Sequence, residues 1–269
     1  MRIEPAAVEE AARELYIRAL KILPPDIKDG FARLSAGETD RTAQGVLATM
    51  LTNIRVAEDT HNLLCQDTGI PIYDVLIGAG VDLDGHALKQ AIRRGCERAT
   101  REHPLRSSVV HPLTRRNEHT SCGIGVPVIH VDFIEQPDVL SIAMVPKGSG
   151  SENGSFLKMA IPAEGVDGIR TFVVDCVIAA GGKPCPPTIV GVGLGGGSYL
   201  SVTLAKRASA RSLGVTWVSM ASSRSKICGC CSGRDDWVAS VYHMTAVARS
   251  CRTMSPPQYR SPSMAWAGA

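Results

Sequence analysis

Val126 to Ile134 reads VPVIHVDFI, and its apolar and polar residues alternate like those of a half-buried strand. Val139 to Val145 carries the same texture and is expected to lie beside it. Upstream, Asp84 is placed to N-cap a helix that runs to about Glu102. Before that helix, Ile70 to Gly78 (IPIYDVLIG) is β-like. Strand, helix, strand, strand is therefore the expected order through the middle of the chain. Further toward the N-terminus the period changes. Ala43, Val46, Leu47, Met50, Leu51, Ile54 and Ala57 fall at three-four spacing on one helical face. An earlier helix, about Ala6 to Leu23, should stop at Pro24-Pro25. Downstream, Gly148 to Gly154 (GSGSENG) reads as a loop. Gly165 to Ala180 reads as a helix with Ile169, Phe172, Val173, Cys176, Val177 and Ala180 on one face. Pro186 to Gly193 is a short apolar strand that enters Gly195-Gly196-Gly197, and a helix follows to about Ser209. The fold class expected is α/β: N-terminal helices followed by a mixed sheet with helical cover.

The last fifth of the chain is aberrant. From about Gly214 to Ala269 there is no leucine, glutamate or phenylalanine, while all three tryptophans and four of the nine cysteines lie there. Disordered extensions are poor in both tryptophan and cysteine. The mixture reads instead as a frame-shifted coding sequence, whose residues were never selected to pack. The expected division is thus residues 1–213 as one domain and 214–269 as a poorly ordered tail.

Composition excludes several classes. A hydrophobic fraction of 44% suits a chain with a real core. A formal charge of +3 over 269 residues is too small to argue for nucleic acid or a membrane surface. The start, Met1 to Tyr16, carries four glutamates and no apolar run, unlike a signal peptide. A cytoplasmic location is expected. Nine cysteines at irregular spacing argue against a disulfide framework. In a reducing compartment a given cysteine is more often a buried filler than a ligand or nucleophile.

Three segments concentrate polar, glycine and cysteine residues at element ends. Leu64 to Pro71 (LCQDTGIP) sets a thiol, an amide, a carboxylate and a hydroxyl in a row. Pro104 to Cys122 (PLRSSVVHPLTRRNEHTSC) clusters Arg106, His111, Arg115, Arg116 and His119; such forks suit carboxylates, although a solvated basic loop explains most of them. Lys183 to Gly197 (KPCPPTIVGVGLGGG) contains Gly191, Gly193 and Gly196 in the G-x-G-x-x-G pattern of dinucleotide sites. That pattern is weak here, because the first acid after Gly196 is Asp235, in the tail, where a ribose ligand is expected about 20 positions on.

Together LCQDTGIP, PLRSSVVHPLTRRN, KGSGSEN and KPCPPTIVGVGLGGG with the following LAKRA resemble the alpha region of class I fumarases and the related L-tartrate dehydratases, from near the N-terminus to about Leu213. The resemblance implies a 4Fe-4S cluster held by three cysteines with one iron open to substrate. On the matching positions, Cys65 and Cys185 are two of the ligands. Gln66, Arg106 and Gly148 are substrate-binding positions, and Asp67 is the candidate acid/base. It also implies a dicarboxylate substrate, a separate beta subunit and a hetero-oligomer. The reaction implied is reversible hydration of fumarate to malate, with L-tartrate dehydration as the alternative; SENGSFLKMAIPAEG looks closer to the fumarase form of that loop. The family's third cysteine lies well beyond the CPP motif, in a context that none of Cys228, Cys230, Cys231 or Cys251 occupies. A non-catalytic metal-binding or scaffold protein is the alternative from another class.

Overall fold

The computed structural model describes residues 2–210 and the backbone of three strands further on, Ser219–Met220, Trp237–Met244 and Ser250–Thr253. Helix α1 (Pro5–Lys21) buries Val8, Ala11, Ala12, Leu15, Tyr16, Ala19 and Leu20. Helix α2 (Pro25–Gly37) starts where the sequence suggested only a stop. Pro25 has the fixed φ and missing N–H that suit a first helical turn. Helix α3 (Arg41–Asp59) is capped by Asp40, whose carboxylate accepts from the Ala43 N–H at 2.8 Å.

Strand β1 (Ile70–Gly78) alternates buried and half-buried residues. Helix α4 (Gly85–Glu102) follows, with the Asp84 carboxylate accepting from the N–H groups of His86 and Ala87 at 2.8 and 3.3 Å. Strand β2 (Val128–Ile134) then returns parallel to β1, which makes β1–α4–β2 a crossover unit. Strand β3 (Leu140–Lys147) does not lie beside β2, contrary to expectation. It pairs antiparallel with the other edge of β1. The connection crosses the end of β1, where the Gly78 and Ala79 N–H groups donate to the carbonyls of Val139 and Ile134. Burial explains the order. Leu140, Ile142 and Met144 are fully buried and belong inside a sheet, whereas β2 carries His130, Asp132 and a largely exposed Phe133. Helices α1 and α4 cover this sheet, and their apolar stripes meet Tyr73, Val75, Ile77, Leu140, Ile142 and Met144 in one core. Truncating a residue such as Leu140 to alanine costs about 2–5 kcal/mol.

The short helix α5 (Ser149–Glu152) sits inside the segment expected to be loop, and strand β4 (Ser155–Ala160) follows it. Helix α6 (Gly165–Ala180), strand β5 (Ile189–Leu194) and helix α7 (Gly197–Ser209) match the sequence reading closely. A Cβ at Gly191 would meet the Ala205 carbonyl at 2.2 Å, and one at Gly193 the Ser201 carbonyl at 2.0 Å. These two glycines of the G-x-G-x-x-G pattern therefore let α7 lie directly on β5. A second core joins Leu23, Ile27, Phe31 and Leu47 of the N-terminal helices to Val145, Ile189 and Ala205.

In the segment read as tail, β6 (Ser219–Met220), β7 (Trp237–Met244) and β8 (Ser250–Thr253) add backbone pairing. Among the described residues the strands form two sheets, in the orders β2-β1-β3-β8 and β4-β7-β5-β6. The expectation of an irregular tail otherwise falls on residues outside those described, as do Cys228, Cys230 and Cys231; of Cys251 only the backbone is described.

Candidate active site

The N-terminal helices and three loops enclose a cavity of about 270 Å³. Leu20, Leu23, Phe31, Met50 and Ile54 form an apolar wall, and Cys65, Asp67, Gly148, Lys183 and Cys185 line the remainder. The first loop, between α3 and β1, is pinned on both sides of its thiol. The Leu64 N–H donates to the Leu20 carbonyl, and the Asn53 amide donates to the Leu64 carbonyl, both at 2.9 Å. Beyond Asp67, the buried Thr68 donates its hydroxyl to the Arg106 carbonyl, and the Tyr16 hydroxyl donates to the Thr68 carbonyl at 3.4 Å. Cys65 and Asp67 are thus held out from a rigid turn.

The second loop begins where β3 ends. Lys147 is buried, and burial pushes its ammonium down to about 7. It donates to the Ser151 hydroxyl, which donates in turn to the Gly148 carbonyl at 2.9 Å. This closes the turn that carries Ser149. The Asp67 carboxylate accepts from both the N–H and the hydroxyl of Ser149. A Cβ at Gly148 would stand 2.9 Å from the Asp67 carboxylate, so only glycine leaves that approach open.

The third loop presents Cys185. Burial, and the neighbouring Cys65, push its thiol up. The Asp67 N–H points at the Cys65 sulfur at 3.4 Å. An N–H directed at an exposed sulfur, with a second thiol on the same cavity, fits two thiolate ligands of a metal centre. Among the described residues, no group of three or more His, Cys, Asp or Glu side chains is gathered for a metal. Cys96 and Cys176 are buried and do not line this cavity.

Other sequence candidates fall outside the cavity wall. Arg106 is mostly exposed and reaches Asp67 at 3.8 Å. Gln66 is exposed and is engaged through its backbone, accepting from the Thr68 N–H at 3.0 Å. His111, Arg115, Arg116 and His119 are exposed; the His111 ring accepts from the Thr114 N–H, so it serves its own turn. The sequence did not single out Ser149, Lys147 or Lys183. The glycine-serine texture of the 148–154 loop was the available signal for Ser149.

Comparison with known proteins matches residues 9–228 to the family described as fumarate hydratase (Fumerase). The chain is 40% identical over 210 residues to a protein of Methanocaldococcus jannaschii named putative L(+)-tartrate dehydratase subunit alpha, covering 77% of this chain and 73% of that one. It is 30% identical over 192 residues to the L(+)-tartrate dehydratase subunit alpha of Escherichia coli K12, covering 71% of this chain and 63% of that one. To a putative fumarate hydratase class I of Geobacillus stearothermophilus it is 28% identical over 207 residues, covering 73% of this chain and 40% of that one. Among the described residues no helix is long and apolar enough to cross a membrane.

Proposed function

The chain belongs to the fumarate hydratase (Fumerase) family, whose members are hydro-lyases, and from that premise we propose that it is the alpha part of an enzyme that reversibly hydrates fumarate to malate. One observation carries the reading: Cys65, Asp67, Gly148 and Cys185, from three separated loops, line one cavity. Cys65 and Cys185 are the positions that hold a 4Fe-4S cluster in this proposal, and the bound cluster supplies a Lewis acid for a hydroxyl and a carboxylate. Asp67 takes or returns the proton at the carbon beside the hydroxyl-bearing one. Ser149 holds its carboxylate from one side, so the base does not reorient between turnovers. Arg106 stands at the far side of Asp67, with a fork that suits a substrate carboxylate. Leu23, Phe31 and Ile54 keep bulk water off that wall, which strengthens each charged contact inside. Gln66 and the Gly148 backbone complete the substrate-binding positions. A separate beta subunit supplies the rest of the site in a cytoplasmic hetero-oligomer, in keeping with relatives named as alpha subunits.

The 40% identity to a protein named for L-tartrate supports a second reading, with L-tartrate as substrate. The test uses two proteins, each reconstituted anaerobically with iron and sulfide beside a family beta subunit. One is the chain itself. The other carries residues 1–213 followed by the C-terminal segment of the Methanocaldococcus jannaschii relative. Hydration of fumarate by the second protein supports the first reading, and turnover of L-tartrate alone supports the alternative. A brown protein that turns over neither would overturn both.

A further inference from the structure

Cys96 and Cys122 lie apart from the cavity, and each thiol is directed at the other's backbone segment. The Cys96 thiol donates to the carbonyl of Ser121, the residue before Cys122, at 3.7 Å. The Cys122 thiol donates to the carbonyl of Arg93, one turn before Cys96 on α4, at 3.5 Å. Both residues are free thiols. They differ in environment. Cys96 is fully buried, whereas Cys122 is half-buried in the loop that leads to β2. Arg93 anchors that loop through the carbonyls of Gly123 and Val126, at 3.1 and 2.8 Å, and so sets a guanidinium beside Cys122.

From this geometry we infer that Cys96 and Cys122 form an oxidative modification site, at which a hydroperoxide converts the two thiols to a reversible disulfide. Cys122 is the attacking thiol. The neighbouring Cys96 pulls it down most, and the Arg93 guanidinium adds to this against the opposing effect of burial. Its thiolate attacks the outer peroxide oxygen. An S–O bond forms, the O–O bond breaks, and the departing alkoxide leaves as alcohol after taking a proton. Cys96 then attacks the sulfenic sulfur. The S–S bond forms, the S–O bond breaks, and hydroxide leaves with the Cys96 proton as water. Two thiols lose two electrons and the peroxide gains them. The product ties the loop that carries Arg106 to the middle of α4. This inference does not depend on the hydratase reading.

The full chain, without added iron, is treated with hydrogen peroxide, alkylated and digested without reductant. The expected product is a peptide holding Cys96 to Cys122, which dithiothreitol separates. Cys122→Ser should lose it, and Cys96→Ala should instead accumulate a Cys122 sulfenic acid that dimedone traps. If either variant fails to fold, wild-type protein decides: the same treatment in urea should scatter Cys122 among several partners. Absence of the Cys96–Cys122 peptide from folded protein whose other cysteines have oxidised would overturn the inference, as would equal yield in urea.

Discussion

The Oδ2 oxygen of Asp67 accepts two hydrogen bonds from Ser149, one from the N–H at 2.8 Å and one from the hydroxyl at 3.0 Å. The contact spans 82 positions of sequence and joins the first loop to the turn after β3. If Asp67 moves the proton, Asp67→Asn should lower kcat by about 10²–10⁴-fold, because an amide cannot take it. Ser149→Ala removes one of the two bonds and leaves the other. A hydrogen bond to a charged group contributes roughly 1.5–3 kcal/mol, and less where solvent reaches it, so about a tenfold loss in kcat is expected. Steady-state kinetics with the cluster intact decide both. Normal turnover in Asp67→Asn would remove that residue from the mechanism.

Arg106→Ala should act on binding instead. The guanidinium is mostly exposed and 3.8 Å from Asp67, so it is available to a dicarboxylate. Losing one charge-assisted pair should raise KM about 10–100-fold with a smaller change in kcat. An unchanged KM would show that Arg106 only braces the loop through its carbonyl, which accepts from Thr68.

Much of this arrangement is legible in the amino-acid sequence. Asp84 announces α4, because its carboxylate caps the first turn as the sequence suggests. Helix α2 escapes, since Pro24-Pro25 reads as a stop and the same proline also begins a helix. The place of β3 escapes too. A short link from β2 suggests a hairpin, and only the burial of Leu140, Ile142 and Met144 moves it to the other side of β1. In the site, Cys65, Asp67, Gly148 and Cys185 come from motifs that state residue type. Ser149 comes from a partner far away in sequence, and the burial of Lys147 comes from packing. The glycine-serine texture marks Ser149 only as part of a loop, and the burial of Lys147 has no local signature.

Cys65→Ser and Cys185→Ser should each leave the reconstituted protein without a stable cluster, because a hydroxyl is a poor anionic ligand for iron. Cys176→Ala should leave it unchanged, since that thiol is buried on α6 and pushed up to about 11 by burial. Iron content and visible absorption measure the outcome. A normal spectrum in Cys65→Ser would remove that cysteine from the ligand set.

Lys147 predicts a pH dependence of stability. Its folded value, about 7, lies below the roughly 10.4 of a free lysine. Between these values the unfolded chain binds the extra proton, so stability should rise with pH from about 7 toward 10. Below about pH 7 both states carry the charge and the contribution is flat. The slope is at most about 1.4 kcal/mol per pH unit. Thermal melts of wild type and Lys147→Met across this range test it. The difference in Tm, wild type minus variant, should grow with pH; a constant difference would mean that the buried amine stays charged.

The chain as it stands should give no hydratase activity, even beside a competent beta subunit. The family resemblance calls for three cysteines, and the described residues bring two, Cys65 and Cys185, to the cavity. The four tail cysteines lie in a stretch without leucine, where Cys228, Cys230 and Cys231 stand almost consecutively. That spacing does not match the single, separately placed ligand that the resemblance implies. A cluster held by two thiolates should lose iron readily, because each missing ligand leaves an iron without an anionic partner. Anaerobic reconstitution of this chain is therefore expected to give substoichiometric iron and no hydration of fumarate, while the protein with the relative's C-terminal segment gives full iron content and hydration. Full iron content that depends on Cys228 or a neighbouring tail cysteine, or fumarate hydration by this exact chain, would show instead that the tail completes the site.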